Sequence, residues 1–176
     1  MYDADAMGGM GNGMPMAGST YLRMDNNQFG DSQLEENWDA ESEESEEDHF
    51  TDCEERGEFI FENRAKYKGQ WKNNMRHGYG IQIWPDGAKY DGYWKNNKAH
   101  GQGVFWHVYG DKYEGDWKRD KAHGVGKYTH SNGATYEGDW KNDLQHGNGV
   151  EYWNDNSKYE GDYKKGKKDG HGTYTW

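Results

Sequence analysis

The 176-residue chain has one cysteine, two prolines and no run of about eighteen apolar residues. A lone Cys53 excludes an intrachain disulfide, and its acidic surroundings raise a thiol pKa instead of activating it. That usage fits a reducing, cytosolic compartment. Without a long apolar run, no transmembrane helix is expected. The N-terminus lacks a basic region followed by an apolar one, so no secretory signal is read there. It also lacks the Met-Gly start of myristoylation. Hydrophobic residues make up only 31%, against about 45–50% in ordinary globular chains. A thick core of Leu, Ile and Val is therefore excluded. No nucleophile elbow, phosphate loop, zinc-protease motif or kinase signature occurs. The expectation is a chain that is not an enzyme, with no cofactor and no metal.

What the chain has instead is 9 Trp, 14 Tyr and 26 Gly. Burial must come from rings lying on glycines in a thin layer, each ring covering about 150–250 Å².

The net charge of −11 is unevenly divided. Residues 1–62 carry 18 acidic and 2 basic side chains, and residues 63–176 carry 14 and 19. Residues 1–18 are rich in Gly and Met, residues 31–55 are strongly acidic, and residues 41–48 are densest. Low hydrophobicity with high charge does not offset the entropy of ordering, so residues 1–55 are expected to form a disordered acidic arm. Ser42, Ser45 and Thr51 sit in acidic contexts that suit acid-directed kinases and are the phosphorylation candidates. Tyr21, Leu22, Met24, Phe29, Leu34 and Trp38 are the arm's apolar residues, a candidate motif that folds on a partner.

From residue 57 onward a 23-residue period governs the chain. Tyr67, Tyr90, Tyr113, Tyr136 and Tyr159 recur without insertion or deletion, which marks a repeat architecture. In the first unit Tyr67, Gly69 and Trp71 alternate with polar residues, as in a half-buried strand. A polar turn follows, then a second strand through Gly78, Gly80 and Trp84, and a Pro-Asp-Gly turn closes the unit. Tyr90, Gly92 and Trp94 lead to Gly101 and Gly103. Tyr113, Gly115 and Trp117 lead to Gly124 and Gly126. Tyr136, Gly138 and Trp140 lead to Gly147 and Gly149. In the fifth unit Tyr159 and Gly161 precede Tyr163, which replaces the Trp. These are the structural repeat positions: each Gly shares strand parity with the aromatics and leaves room for a ring. The reading is all-β, an elongated single-layer array of about five stacked β-hairpins. It covers residues 57–176, with a capping strand in 57–65 and repeats starting near 66, 89, 112, 135 and 158. One hairpin is marginal alone, but stacked hairpins share their layer.

The pattern Tyr-x-Gly-x-Trp…His-Gly-x-Gly resembles the MORN (membrane occupation and recognition nexus) repeat, over about two-thirds of the chain. The resemblance implies a twisted, grooved array of β-hairpins. It also implies kinship with axonemal radial-spoke-head proteins, protist cytoskeletal scaffolds and junctophilin. Catalytic domains that carry such repeats elsewhere, in plant-type phosphatidylinositol phosphate kinases and a histone lysine methyltransferase, have no counterpart here; a regulatory module of a larger signalling protein stays an alternative.

His77, His100, His123 and His146 recur once per unit, about 9–10 Å apart at two strand spacings. That is a ladder and not a metal cluster. Nucleic acid is disfavoured by an array of only +5 beside an acidic arm. Positions that vary at fixed register are the partner-binding candidates: Trp84, Trp106, His107, Tyr128, His130, Tyr152 and Trp153 are expected to line a groove holding a partner's helix or extended segment. The leading expectation is a protein scaffold in a multi-subunit complex or homodimer, cytoplasmic, in the cytoskeleton or the axoneme of a cilium. The alternative is an adaptor on anionic membranes, where each lysine contributes about 1 kcal/mol. The acidic arm is expected to lie over the basic array and compete with an acidic partner.

Overall fold

The computed structural model describes Phe50 and residues 52–176. The expectations about Tyr21 to Trp38, Ser42, Ser45 and Thr51 lie outside the described residues. Eleven strands follow in order: β1 (Glu54–Ile60), β2 (Lys66–Lys72), β3 (Met75–Ile83), β4 (Lys89–Lys95), β5 (Lys98–Trp106), β6 (Lys112–Lys118), β7 (Lys121–Thr129), β8 (Thr135–Lys141), β9 (Leu144–Tyr152), β10 (Lys158–Lys164) and β11 (Lys167–Thr175). They form one antiparallel sheet in sequence order. The all-β, single-layer expectation holds. At about 4.8 Å per strand, the sheet runs roughly 50 Å along the repeat direction.

Two turn types alternate, because each does a different job. Within each repeat the strands are joined by two residues in the left-handed region, such as Asn73 and Asn74 (φ +51° and +61°) or Arg119 and Asp120 (φ +51° and +70°). That is a type I′ turn, whose twist matches the strands it joins. Between repeats the chain takes a longer connector. The Gly87 amide donates to Trp84 O at 2.9 Å, and the Trp84 amide donates to Ala88 O at 2.9 Å. Asp86, Asn132 and Asp155 each accept the amide two residues on. In a sequential meander all type I′ turns fall along one long side and all connectors along the other.

The glycines do two separable things. Gly126 permits a close approach: a Cβ there would lie 2.6 Å from Tyr113 Cζ. The Tyr113 ring crosses the strand at that gap, and its hydroxyl donates to Asp116 O at 2.9 Å. Gly124 instead turns the backbone, at φ +70°. It sits where β7 gains two residues on β6, between the Gly115–Gly126 and Trp117–Ala122 pairs. The Val125 amide freed by this bulge is taken by Asp116 Oδ2 at 2.9 Å. Gln70, Asp139 and Asp162 cap the same bulge in their repeats. Because the bulge adds two residues, strand parity survives it.

The rings join across repeats into one edge-to-face chain. Tyr67 meets Trp71 at 5.1 Å and Trp94 at 5.6 Å. Tyr90 meets Trp94 and Trp117, Tyr113 meets Trp117 and Trp140, and Tyr136 meets Trp140 and Tyr163. Such pairs contribute about 0.5–1.5 kcal/mol each beyond area. Hydrogen bonds pin each Trp to the preceding repeat: Trp94, Trp117 and Trp140 Nε1 donate to Gly80, Gly103 and Gly126 O at 3.0–3.1 Å.

The N-terminal edge strand β1 begins at Glu54, so the boundary expected at residue 55 falls inside it. It ends at Ile60, and residues 61–65 form the turn into β2.

Candidate protein-interaction surface

Alternation along the strands assigns every side chain to one of two faces. Tyr67, Gly69 and Trp71 define the inner face, and their cross-strand partners Gln82, Gly80 and Arg76 share it. The equivalents of Gln82 in later repeats are Phe105, Tyr128 and Glu151. All four are buried. No second layer covers them among the described residues, so this face is closed by its own rings.

Five of the seven groove candidates lie here. Trp84, His107, His130 and Trp153 each open a connector, their amides donating to Ala88, Asp111, Ala134 and Ser157 O. That position turns the side chain inward. Trp84 and His107 are only 8% exposed, which corrects their expected place on an open groove. Trp84 packs edge-to-face on Phe105 at 5.6 Å, and His107 on Phe105 at 4.5 Å. Tyr128 is buried between His107 and His130. Trp153, half-buried, stacks on Tyr174 at 6.2 Å.

His107, Tyr128 and His130 surround Asp111, which stands where other repeats have Ala65, Ala88, Ala134 or Ser157. Asp111 accepts from the Tyr128 hydroxyl at 2.7 Å and the Ser131 amide at 2.8 Å, and lies 3.3 Å from His130 Nδ1. Burial pushes its carboxyl up, but these three partners outweigh that and hold it below the usual range. Burial lowers the His107 pKa, with Asp111 opposing. The cluster therefore ties two connectors together from within. Arg76 plays a similar part in the first repeat. It lies 4.3 Å over the Trp94 ring, donates to Asn97 O at 2.7 Å and bonds Gln82. Burial brings its pKa down to about 10.

The other two candidates, Trp106 and Tyr152, are on the outer face. Successive cross-strand pairs set them in one row across the sheet: Ile83, Lys89, Trp106, Lys112, Thr129, Thr135, Tyr152 and Lys158. Tyr152 is 47% exposed, Ile83 44%, and Trp106 half-buried. Lys89 Nζ stands 4.6 Å over the Trp106 ring. Ile81, Val104 and Val150 occupy the next row. The lysines ion-pair along their own strands, Lys89 with Asp91, Lys112 with Glu114 and Lys158 with Glu160, at 2.9–3.2 Å. Such exposed pairs are worth about 0–1 kcal/mol and exchange readily.

The geometry is that of a repeat solenoid with a ring-filled inner face and a mixed outer one. A family model for the MORN repeat matches residues 67–89, 90–110, 113–135, 136–158 and 159–176. The chain belongs to the MORN repeat family. No curated protein matches it as a relative. The second MORN match stops at Gly110, just before Asp111 departs from the small residue of the other repeats. MORN repeats form a non-catalytic family that mediates protein or membrane interactions.

The sequence reading of this MORN array missed Ile83, Tyr79 and Val125 on the outer face, and the bulge-capping Asp116, Asp139 and Asp162. Counting parity from Gly80 through Gln82 would have found the first group. The acids recur at a fixed position, directly before Trp117, Trp140 and Tyr163, which is the signal for the second. The repeat histidines open the second strand: His77 and His146 Nδ1 accept the Asn96 and Lys165 amides at 3.4 Å.

Proposed function

We propose that the array is a non-catalytic protein-interaction scaffold that docks a partner on its outer face, in a cytoskeletal or ciliary assembly. The observation that carries this reading is the row of Ile83, Trp106 and Tyr152 with lysines set between them. Ile83 and Trp106 stand two strands apart, about 9.6 Å, and Trp106 and Tyr152 four strands apart, about 19 Å, with Thr129 at the position between them. An extended segment offers one side chain about every 10 Å at three-residue spacing, and a helix does so at six to seven residues. Aromatic anchors with exchangeable lysines suit an apolar segment that carries carboxylates. The cytoplasmic, axonemal or cytoskeletal setting rests on the resemblance to radial-spoke-head proteins alone.

The test uses the full chain and a W106A/Y152A variant as bait in native lysate, beside co-sedimentation with anionic vesicles at physiological salt. The reading expects a protein set captured by the parent and lost from the variant, with thermal unfolding of the two baits alike. Capture that survives the double substitution contradicts it. Saturable vesicle binding with no protein partner moves the function to the membrane.

A further inference from the structure

Two side-chain ties recur where one repeat meets the next, and the boundary between β9 and β10 is built without them. The first is the indole bond, in which Trp94, Trp117 and Trp140 each donate to a glycine carbonyl of the preceding repeat. At the β9–β10 boundary Tyr163 stands in that position and carries no indole N–H. The second tie comes from the type I′ turn. Asn97, Asp120 and Asp143 Oδ1 accept the amides of Arg76, Ala99 and Ala122, one repeat back, at 2.9, 2.6 and 2.7 Å. Their own amides donate to the carbonyls of the same three residues, which makes each tie reciprocal. The fifth turn has Gly166 in that place. Its amide still donates to Gln145 O at 2.9 Å, but it has no side chain to take the Gln145 amide.

The packing at this boundary differs in the same direction. Gln145 faces Trp140 where Ala99 and Ala122 face Trp94 and Trp117. It is 1% exposed, and neither Oε1 nor Nε2 of its amide has a hydrogen-bond partner among the described residues. A polar group buried in that state destabilises the closed form. Glu151 takes the place of Phe105 and Tyr128, and is buried as they are. Lys168 of β11 reaches back across the boundary to it, Nζ to Oε2 at 2.6 Å, and lies 4.7 Å over the Trp153 ring. A buried ion pair gives up much of its attraction to desolvation. The main-chain ladder, the Tyr136–Tyr163 contact at 5.0 Å, the Trp153–Tyr174 stack and an outer-face bond from Asn148 to Asp162 are kept. Beyond them β11 is exposed along most of its length.

We infer that the β9–β10 boundary is a hinge built into the array. The β10–β11 hairpin opens from the sheet as one unit while the first four repeats stay closed. The Glu151–Lys168 pair is its latch. Opening bares the main-chain edge of β9 and returns the Gln145 amide and the Glu151 carboxylate to water, which offsets part of the lost ladder.

Native-state hydrogen exchange of the full chain, read by mass spectrometry, tests this. Amides of β10 and β11 are expected to exchange together, at least about tenfold faster than those of β4 to β7. Gly166→Asp supplies the missing acceptor, at a φ of +80° close to the +68° of Asp143. It is expected to slow exchange in β10 and β11 about fivefold and to leave β4 to β7 unchanged. Q145A/Y163W rebuilds the Ala–Trp pair of the second and third repeats and is a second route to the same slowing. Lys168→Met leaves Glu151 without its cation and is expected to speed the same amides at least about tenfold. Protection of β10 and β11 equal to that of β4 to β7 would overturn the inference. So would exchange that rises evenly toward residue 176 with no step at β9–β10, no slowing in either repaired variant, or exchange unmoved by Lys168→Met. None of these outcomes bears on which protein the outer face holds.

Discussion

Gly126 and Asp120 show how single positions set the limits of the array. A methyl at Gly126 has nowhere to go, because the Tyr113 ring already fills its place. Gly126→Ala is expected to destabilise by about 1–3 kcal/mol, the range of overpacked cores. Gly57→Ala, with nothing within 4 Å of the new Cβ, should change stability by less than about 0.5 kcal/mol. Urea unfolding of the two variants compares them directly. Asp120 illustrates electrostatics. Burial raises its carboxyl to about 6, against the Ala99 amide, Arg76 and Lys98, which pull it down. Unfolded aspartate titrates near 3.9. Between those values the native state binds more protons than the unfolded one, so stability falls as pH rises from about 4 to about 6. Asp120→Asn keeps the acceptor for the Ala99 amide, as Asn97 does for Arg76 at 2.9 Å, and removes the titration. Relative to the parent, the variant is expected to gain stability from pH 4 to pH 7, on the order of 1–3 kcal/mol. The comparison cancels His107, whose lowered pKa acts in both proteins in the opposite sense. A parent–variant difference flat with pH contradicts the assignment.

At the scale of the hairpin, the tryptophan is what makes one repeat depend on the last. Trp117 donates to Gly103 O in the preceding repeat. Trp71 fills the same position in the first repeat, yet its Nε1 is buried without a partner among the described residues. Trp→Phe removes similar volume at both, so the difference between them isolates the hydrogen bond. Trp117→Phe is expected to cost about 1–2 kcal/mol more than Trp71→Phe, read from chemical denaturation. Equal losses would mean that ring packing alone couples the repeats. Much of this element was legible in the sequence. The tyrosine period, the glycine parity and the turn residues each dictate local geometry, and all point to one hairpin. The type I′ turn follows from pairs such as Asn73-Asn74 and Asn96-Asn97, which tolerate the left-handed region. What the residues did not show is that Trp84 and His107 are buried. Variation at fixed register points to a partner-lined groove but does not by itself set exposure. In fact Gln82, Phe105, Tyr128 and Glu151 vary while all stay buried, because a face built from large rings can be closed by different side chains in each repeat.

Over the whole molecule, the single sheet divides labour between its faces. The inner face holds the repeats together through one continuous chain of rings. The outer face carries exposed Ile83 and Tyr152 and half-buried Trp106, the row proposed to meet a partner. This division also explains why the seven groove candidates split as they do. Residues adjacent in sequence, such as Trp106 and His107 or Tyr152 and Trp153, point to opposite sides of a strand. The most direct test is oxidative side-chain footprinting of the full chain, alone and with its captured partner, read by mass spectrometry. Alone, Tyr152, Tyr79 and Trp106 are expected to label well and Trp84 and Tyr128 poorly. With the partner bound, protection should appear at Trp106, Tyr152 and Ile83, and labelling of Trp84 and Trp153 should not change. Protection confined to Trp84, His107 and Trp153 would place the partner on the inner face and contradict the account.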